Sequence, residues 1–345
     1  MNNKYFTERE RYQLEILLKD NKPVKEIAEI LGKCKATIYN EIKRGMTTQL
    51  RSNLTEYQIY LADVAQRKYM ENRKNKGRNY KVINDEHFIC FVSDKIKNYK
   101  WSPAAVTGYI KSHDMDFPVT VCKATLYSYV KKGIISGLTI HNLPYAKETR
   151  RKGDKRPSVA LKNLKGRSIE ERPDSVNNRE EYGHWEMDTV YSGKKKSKEC
   201  LLVLTERMFR EELIFKMPDR TAHSVKECLD KLERDYGFKR FRNTFKTITS
   251  DNGVEFLDSA SLEKSCINDK FNRTIMYYCH PFCSSERGSN ENLNKMIRRH
   301  IPKGADISDY SDDDILYIQN WINNYPREMF GYLSTYEYMS RCNVV

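Results

Sequence analysis

Residues 184–190, HWEMDTV, and residues 247–253, TITSDNG, decide the fold predicted for this sequence. Both stretches are typical of short β-strands, because they are rich in β-branched and aromatic residues. Asp188 lies inside the first stretch, and Asp251 ends the second. A carboxylate inside a strand is costly unless it is paired or bound to a metal ion. Asp-Asn-Gly after a strand is also a common turn, so Asp251 alone would be weak support for a functional role.

The chain around these two stretches alternates between strand and helix patterns. Five strands are predicted, at residues 186–190, 200–205, 212–217, 247–249 and 275–278. Residues 224–236 have apolar positions at helical spacing, and a further helix begins at Asn290. Three strands joined by short turns, followed by helix, strand, strand and helix, predict a mixed five-stranded α/β sheet with helices packed on it.

The last of these helices supplies a third acid, in residues 288–299, GSNENLNKMIRR. Helical spacing puts Glu291, Lys295 and Arg298 on one face. That order suits a metal ligand followed by cations that grip phosphates, although an exposed helix with an i,i+4 ion pair would look similar. Three carboxylates from two strands and a helix would bind two Mg²⁺ or Mn²⁺ ions, which prefer oxygen ligands. Such a pair of ions catalyses in-line phosphoryl displacement without a covalent protein nucleophile.

The first fifty residues indicate a helix-turn-helix. Thr7 is placed to cap a first helix, Pro23 opens a second, and Gly32 suits the turn before a third that begins near Ala36. An ordinary three-helix bundle is the alternative. DNA binding is favoured because polar and basic side chains cluster where bases and phosphates would be contacted. These predicted DNA-binding residues are Lys33, Lys35, Thr37, Tyr39, Asn40, Lys43 and Arg44.

Residues 120–130 repeat part of this pattern, because Cys-Lys-Ala-Thr-aliphatic-Tyr occurs at both 34–39 and 122–127. The echo suggests a second helix-turn-helix. Residues 147–172 carry ten Lys or Arg against four Asp or Glu and indicate a basic linker. The predicted division is therefore a helix-turn-helix at 1–50, a basic helical region at 51–145, a linker at 146–178, a catalytic core at 179–305 and a helical tail at 306–345.

Composition narrows the class of protein. The 345 residues include 61 Lys or Arg and 47 Asp or Glu, giving a net charge of +14, which favours a nucleic acid partner. The hydrophobic fraction of 39% excludes a wholly disordered chain. No apolar run approaches the roughly eighteen residues of a membrane span, and the N-terminal residues lack a signal segment. Nine cysteines without a repeated spacing indicate reduced thiols in an intracellular protein.

Several ordered motifs resemble bacterial insertion-sequence transposases of the IS30 family. They are GHWEMD at 183–188, DRTA at 219–222, SDNGVEF at 250–256, ERGSNEN at 286–292, IPKG at 301–304, NNYPR at 323–327 and the segment 331–337. The resemblance implies an integrase-like, ribonuclease-H-like core. It implies an Asp-Asp-Glu triad at Asp188, Asp251 and Glu291, with Lys295 and Arg298 on the basic face that follows. It also implies cleavage at terminal inverted repeats and joining to target DNA by a homodimer or larger assembly, in the bacterial cytoplasm at the nucleoid.

The sequence departs from the family pattern in three places. Asp251 and Glu291 are separated by 39 residues, a few more than usual, whereas Glu286 gives a spacing of 34 and is the rival third acid. Glu291 is preferred because Gly288 and Ser289 interrupt a helix that begins at Glu286. Met187 replaces a small residue, and residues 334–337 lack the expected proline.

Other functions remain as alternatives. A helix-turn-helix regulator without catalysis would bind duplex DNA but never cut it, and a nuclease of the same fold would cut without joining. A tyrosine recombinase is disfavoured, because no Arg/His cluster leads to a distinguished tyrosine. Residues 279–283, Cys-His-x-x-Cys, lack a fourth ligand for zinc. His184 is interpreted as structural or DNA-contacting. Glu186 is interpreted as a residue at the periphery of the metal site rather than as one that binds the metal ions.

Overall fold

The computed structural model describes residues 5–74, 80–82, 85–144, 166–193, 196–280, 286 and 288–344, with backbone only at residues 74, 288, 289 and 291. Its helices are α1 (Glu8–Lys19), α2 (Val24–Ile30), α3 (Lys35–Gly45), α4 (Ala62–Lys74), α5 (Glu86–Lys97), α6 (Pro103–Ser112), α7 (Lys123–Lys131), α8 (Asp174–Asn178), α9 (Ala222–Tyr236), α10 (Phe238–Thr244), α11 (Ser259–Glu263), α12 (Gly288–Ile297), α13 (Asp312–Asn323) and α14 (Thr335–Arg341). Its strands are β1 (Met46–Leu50), β2 (Glu56–Tyr60), β3 (Arg167–Ser168), β4 (His184–Tyr191), β5 (Cys200–Glu206), β6 (Glu212–Met217), β7 (Thr247–Ser250) and β8 (Ile275–Tyr278).

The chain forms two compact units, Met1–Tyr80 and Lys81–Val345. The first contains the helix-turn-helix. Thr7 caps α1 in a capping box with Glu10, as its position predicts. Gly32 has a φ of +59°, a left-handed conformation that glycine adopts without strain in the turn before α3. The fully buried Arg11 donates to Glu41 at 2.6 Å and so ties α1 to α3.

A two-stranded hairpin, β1–β2, follows α3 in this unit. The sequence analysis did not predict this hairpin. Strand β1 has no alternating pattern of burial, although β2 alternates between exposed and partly buried residues.

The second unit is built around a six-stranded mixed sheet with the order β3-β8-β7-β4-β5-β6. Strands β4, β5 and β6 pair antiparallel as consecutive hairpins, whereas β7 pairs parallel to both β4 and β8. The five predicted strands are all present, but the predicted count of five is wrong by one. The sixth, β3, has only two residues and gains its place by pairing with β8, so no local periodicity marks it.

Helices cover both faces of the sheet. Trp185, Met187 and Ile248 belong to the core between the sheet and α9, α10 and α11. Val190, Val203 and Ile214 face the other way, into the core that α12, α13 and α5–α7 complete. Because side chains alternate along a strand, Glu186 and Asp188 share the face that α12 covers.

The edge strand β6 is covered by α13. Gln319 accepts the Ile214 amide at 2.8 Å, and Asn323 both accepts the Glu212 amide and donates to its carbonyl. Satisfying these edge groups with side chains blocks pairing with another strand. The C-terminal helices therefore complete the sheet.

Part of the predicted linker, residues 146–165, lies outside the described residues. Its remainder forms β3, a short 3₁₀ turn and α8. Within the described ranges, every helix is too short or too polar to cross a bilayer. The eight cysteines found there are free thiols.

Candidate active site

Asp188 lies in β4, and Asp251 directly follows β7, the parallel strand beside it. The β4–β7 register pairs Glu186 with Thr249. Counting two residues onward along each strand brings Asp188 level with Asp251. Adjacent strands are about 4.8 Å apart, so the register brings Asp188 and Asp251 together at the carboxyl ends of the central strands β4 and β7. We call this end of the sheet the acidic edge.

Helix α12 packs over this edge and reaches it through two asparagines. Asn294 donates its side-chain amide to Asp188 Oδ2 at 2.8 Å, and the backbone amide of Asn290 donates to Glu186 Oε2 at 3.3 Å. Glu291 follows Asn290 and lies one turn before Asn294, so α12 brings its backbone to the acidic edge. The side chain of Glu291 lies outside the part of the chain that the structure describes.

A buried carboxylate that the sequence analysis did not single out stands beside Asp251. Glu255 is fully buried, and its Oε1 accepts from Thr189 Oγ1 at 2.7 Å and from Arg220 Nε at 2.6 Å. A Cβ on Gly253 would lie 2.6 Å from Glu255 Oε2 and 3.0 Å from Asp251 Oδ1. Glycine at this position therefore lets the two carboxylates approach each other. The signal available in the sequence was the pair of motifs DRTA and DNGVEF, which contain Arg220 and Glu255.

The turn that carries Asp251 is held by backbone contacts. The Gly253 amide donates to Asp251 Oδ1 at 2.9 Å, and the side-chain amide of Asn252 donates to the Cys279 carbonyl at 2.7 Å. The turn is thus fixed to the end of β8. Asp-Asn-Gly therefore forms a turn after the strand, as is common for this tripeptide, and the turn also carries the candidate acid Asp251.

Glu186 and His184 are buried side chains that contact other protein groups. Glu186 pairs with Arg207 at 2.5 Å, and both side chains are buried. His184 lies between Thr247 Oγ1, 2.8 Å from Nδ1, and Glu181, 3.1 Å from Nε2. Burial lowers the pKa of His184. Neither residue is exposed to a substrate.

Glu286, the rival third acid, is engaged by His280. Its carboxylate accepts from the His280 backbone amide at 2.9 Å and lies 2.7 Å from Nδ1. The pKa of His280 is raised, chiefly by its hydrogen bond to Glu286. Cys283 of the possible zinc fragment lies outside the described residues.

The two basic residues predicted to follow Glu291 differ in exposure. Lys295 is exposed and lies 3.4 Å from Asn292 Oδ1. Arg298 is half-buried and donates to the Tyr191 carbonyl at 3.2 Å, at the end of β4. Burial lowers the pKa of Arg298. Lys295 is thus the more accessible of the two cations.

The predicted DNA-contacting residues of the first unit lie on and before α3. Those exposed to solvent are Lys35, Tyr39, Asn40 and Lys43, while Thr37 and Arg44 are partly exposed. Lys33 has a side chain that is only 8% exposed, in an ion pair with Glu10 at 3.1 Å. Arg44 pairs with Glu41. A shallow cleft between α3 and α4 is lined by Asn40, Lys43, Arg44, Lys68, Glu71 and Asn72.

The donor set at the acidic edge fits a divalent, oxygen-preferring metal ion. Asp188 and Asp251 supply carboxylates from two strands, and Glu255 Oε2 is buried without a hydrogen-bond partner in the described residues. Among those residues no cluster of three or more His, Cys, Asp or Glu side chains is arranged to hold an ion. A third carboxylate on α12 would complete the set.

Comparison with known proteins shows two family matches. Residues 2–45 match a helix-turn-helix domain, and residues 178–274 match an integrase core domain. The chain is 30% identical over 341 residues to the transposase for insertion sequence element IS4351 of Bacteroides fragilis, covering 97% of this chain and 95% of that one. It is 25% identical to the transposase InsI for insertion sequence element IS30A of Escherichia coli (strain K12), covering 98% of this chain and 84% of that one.

Among solved structures, the catalytic core domain of BIV integrase aligns with a TM-score of 0.34 at 20% identity. The alignment covers 48% of this chain and 98% of that one.

Proposed function

Because this chain belongs to the IS30 family of insertion-sequence transposases, and is therefore a DNA transposase that cleaves and joins DNA, we propose that Asp188, Asp251 and Glu291 are its catalytic acids. The register between β4 and β7 carries this proposal, because it brings two carboxylates level on adjacent strands. The contact from Asn294 to Asp188 supports it further, since it draws the helix that contains Glu291 to the same edge.

Enzymes with this core normally use a divalent metal ion, and here the three acids would hold two Mg²⁺ or Mn²⁺ ions. When bound, such ions supply activation of the attacking oxygen and neutralisation of the charge that develops on the leaving oxygen. The protein's own part is to orient the ligands. Asn294 holds Asp188 Oδ2, and the Gly253 amide holds Asp251 Oδ1. A second hydrogen bond, from the Thr189 backbone amide to Asp188 Oδ1 at 2.9 Å, further fixes the orientation of that carboxylate.

The DNA that is recognised would be the terminal inverted repeats of the element. The exposed residues Lys35, Tyr39, Asn40 and Lys43 on α3 are suited to a DNA groove. Asn40 and Thr37 would read base edges, while Lys35, Lys43, Arg44 and Lys33 would contact phosphates. The ion pair of Lys33 with Glu10 makes it the least available of these cations.

A second helix-turn-helix would be formed by α6 and α7. Both α3 and α7 begin after an exposed cysteine whose thiol bonds a threonine, at 3.0 Å between Cys34 and Thr37 and 3.2 Å between Cys122 and Thr125. The shared start of the two helices supports the internal repeat. The proposed division into five segments remains a prediction, and so does the expectation that two DNA ends require a homodimer or larger assembly.

Cleavage and joining of labelled DNA tests the proposal. A duplex that ends in the terminal repeat of the element is incubated with the full chain and Mg²⁺, together with a target plasmid. The expected result is 3′-end cleavage and strand transfer that Asp188→Asn and Asp251→Asn abolish, while the control Asp235→Asn, an exposed position on α9, keeps both. Binding without any cleavage would favour a regulator, and cleavage without joining would favour a nuclease.

Three further variants address the third acid and the metal. Glu291→Gln is expected to abolish cleavage, and Glu286→Gln to retain it; the reverse result would make Glu286 the catalytic acid. Asp188→Cys is expected to be inactive with Mg²⁺ and to regain cleavage with Mn²⁺, because thiolates bind the softer ion better. Failure of Mn²⁺ to rescue this variant would argue against direct coordination by residue 188.

A further inference from the structure

Helix α12 is joined to β4 by two hydrogen bonds whose spacing matches on the two elements. The backbone amide of Asn290 donates to Glu186 Oε2 at 3.3 Å, and the side-chain amide of Asn294 donates to Asp188 Oδ2 at 2.8 Å. Four residues of a helix rise about 6 Å, and two residues of a strand rise about 7 Å. The two contacts together therefore fix the position of α12 along β4.

Glu186 is held in place for its contact by a buried arginine. Its side chain is fully buried, and Oε1 accepts from Arg207 Nη1 at 2.5 Å. Arg207 is also buried, and its Nε donates to the Val176 carbonyl at 3.3 Å. A buried charge is costly unless it is paired and hydrogen-bonded. Arg207 thus balances the charge of Glu186, while the second carboxylate oxygen accepts from α12.

The amide that Glu186 accepts belongs to the first turn of α12. Asn290 is buried and is the third residue of the helix. The first four amides of a helix have no carbonyl partner within it, and a carboxylate beside them also interacts favourably with the positive end of the helix dipole. Glu186 therefore stabilises the first turn of α12 in its position against β4.

Glu291 lies between the two points of contact. It follows Asn290 directly and precedes Asn294 by three residues, a separation at which positions are neighbours on a helix surface. A rotation or shift of the first turn would therefore move residue 291 relative to Asp188.

We propose that Glu186 is a positioning residue for the acidic edge. Its carboxylate, held by Arg207, fixes the start of α12 and thereby the third catalytic acid, Glu291, without contacting the substrate. The inference rests on the proposed function, because it assumes that Glu291 acts together with Asp188.

A glutamate on the other face of the sheet provides a matched control. Glu233 of α9 is fully buried, and it accepts from Arg273 at 3.3 Å, from the Cys266 backbone amide at 2.9 Å and from Ser265. Like Glu186, it therefore has an arginine and a backbone amide as partners. Glu186→Gln and Glu233→Gln each remove one buried charge, but only the first removes a charge that contacts α12.

A double variant separates position from stability. Glu186→Gln leaves Arg207 buried without its carboxylate, which is strongly destabilising. Glu186→Met combined with Arg207→Met removes both charges, and such apolar replacements of a buried ion pair are often neutral for stability. The double variant still removes the acceptor of the Asn290 amide. Urea unfolding establishes the conditions under which each variant of the full chain is folded.

Hydrogen exchange under those conditions, measured by mass spectrometry of peptides that cover α12, reports local opening of the helix. Exchange in its first turn is expected to be about three- to tenfold faster in both Glu186 variants, the factor that corresponds to one hydrogen bond. Single-turnover cleavage of terminal-repeat DNA with Mg²⁺ is expected to slow by about ten- to a hundredfold, with unchanged DNA affinity, because a small misplacement is costly to catalysis. Glu233→Gln is expected to keep the wild-type values of all three.

Slower cleavage with unchanged exchange in α12 would overturn the inference and make Glu186 a direct participant in the reaction. Wild-type cleavage by the folded double variant would also overturn it, and so would equal changes in Glu233→Gln. The proposed function is judged separately by Asp188→Asn. If that variant cleaves as well as wild type, the proposed function fails whatever the Glu186 variants do.

Discussion

The hydrogen bond from Thr189 to Glu255 is expected to matter to both stability and catalysis. Glu255 is fully buried, and its described partners are Thr189 at 2.7 Å and Arg220 at 2.6 Å, both on Oε1. Thr189→Val removes the hydroxyl with little change of shape. A hydrogen bond to a charged group contributes about 1.5–3 kcal/mol, so the free energy of unfolding should fall by that amount.

A matched variant exists on the same sheet. Thr205 donates to the buried Glu212 at 2.8 Å, and its cross-strand partner is Glu186 rather than Asp188 or Asp251. Burial raises the pKa of Glu212 to about 8, so its carboxyl is largely protonated near neutral pH. Thr205→Val should therefore cost only the 0.5–1.5 kcal/mol typical of a neutral hydrogen bond, roughly.

Urea unfolding at pH 7, followed by a single-turnover cleavage assay, separates the two roles. Thr189→Val is expected to lose about tenfold in cleavage rate under conditions where it is fully folded, because Glu255 lies beside Asp251. Thr205→Val is expected to cleave at the wild-type rate. Equal stability losses in the two variants, with unchanged cleavage in both, would refute the assignment of Glu255 to the active site.

Three more predictions address other parts of the chain. Burial, with Lys100 and Arg299 nearby, lowers the pKa of His300 to about 4. The unfolded chain then binds more protons between pH 4 and 6.5, so the free energy of unfolding should rise with increasing pH across that window, by less than about 1.4 kcal/mol per pH unit. His300→Phe should flatten this slope in urea titrations at pH 5 and 7, and an unchanged slope would contradict it. Asn294→Leu, which removes the hydrogen bond from residue 294 to Asp188 Oδ2, should reduce cleavage at least tenfold without weakening DNA binding in a gel-shift assay; loss of binding alone would argue against a positioning role. Asn40→Ala should reduce discrimination between terminal-repeat and random duplex, whereas Lys43→Ala should weaken both equally, as competition assays at fixed salt would measure.

Local patterns in the sequence were sufficient to predict most elements. The five longer strands of the sheet were predicted because β-branched and apolar runs mark strands wherever they pair. The cap at Thr7 and the turn at Gly32 were predictable for the same reason, since caps and turns depend on neighbouring residues. Asp188 was identified as a candidate because a lone carboxylate within a strand is unusual even without knowledge of its neighbours.

Contacts between distant residues were not predictable in this way. Thr189 and Glu255 are 66 residues apart, and Arg220 and Glu255 are 35 apart, so no periodicity links them. The two-residue strand β3 exists only because β8 offers it a partner.

The sequence alone determined the five longer strands of the six-stranded sheet, the helices of the helix-turn-helix and the candidate acids Asp188, Asp251 and Glu291, because those properties depend on a few consecutive residues. Only the tertiary structure decided that Asp188 lies level with Asp251, that Asn294 bonds one of them and that Glu255 is buried beside the other. Strand order and helix packing set those neighbours. They arise from the burial of the whole core, which no short stretch encodes.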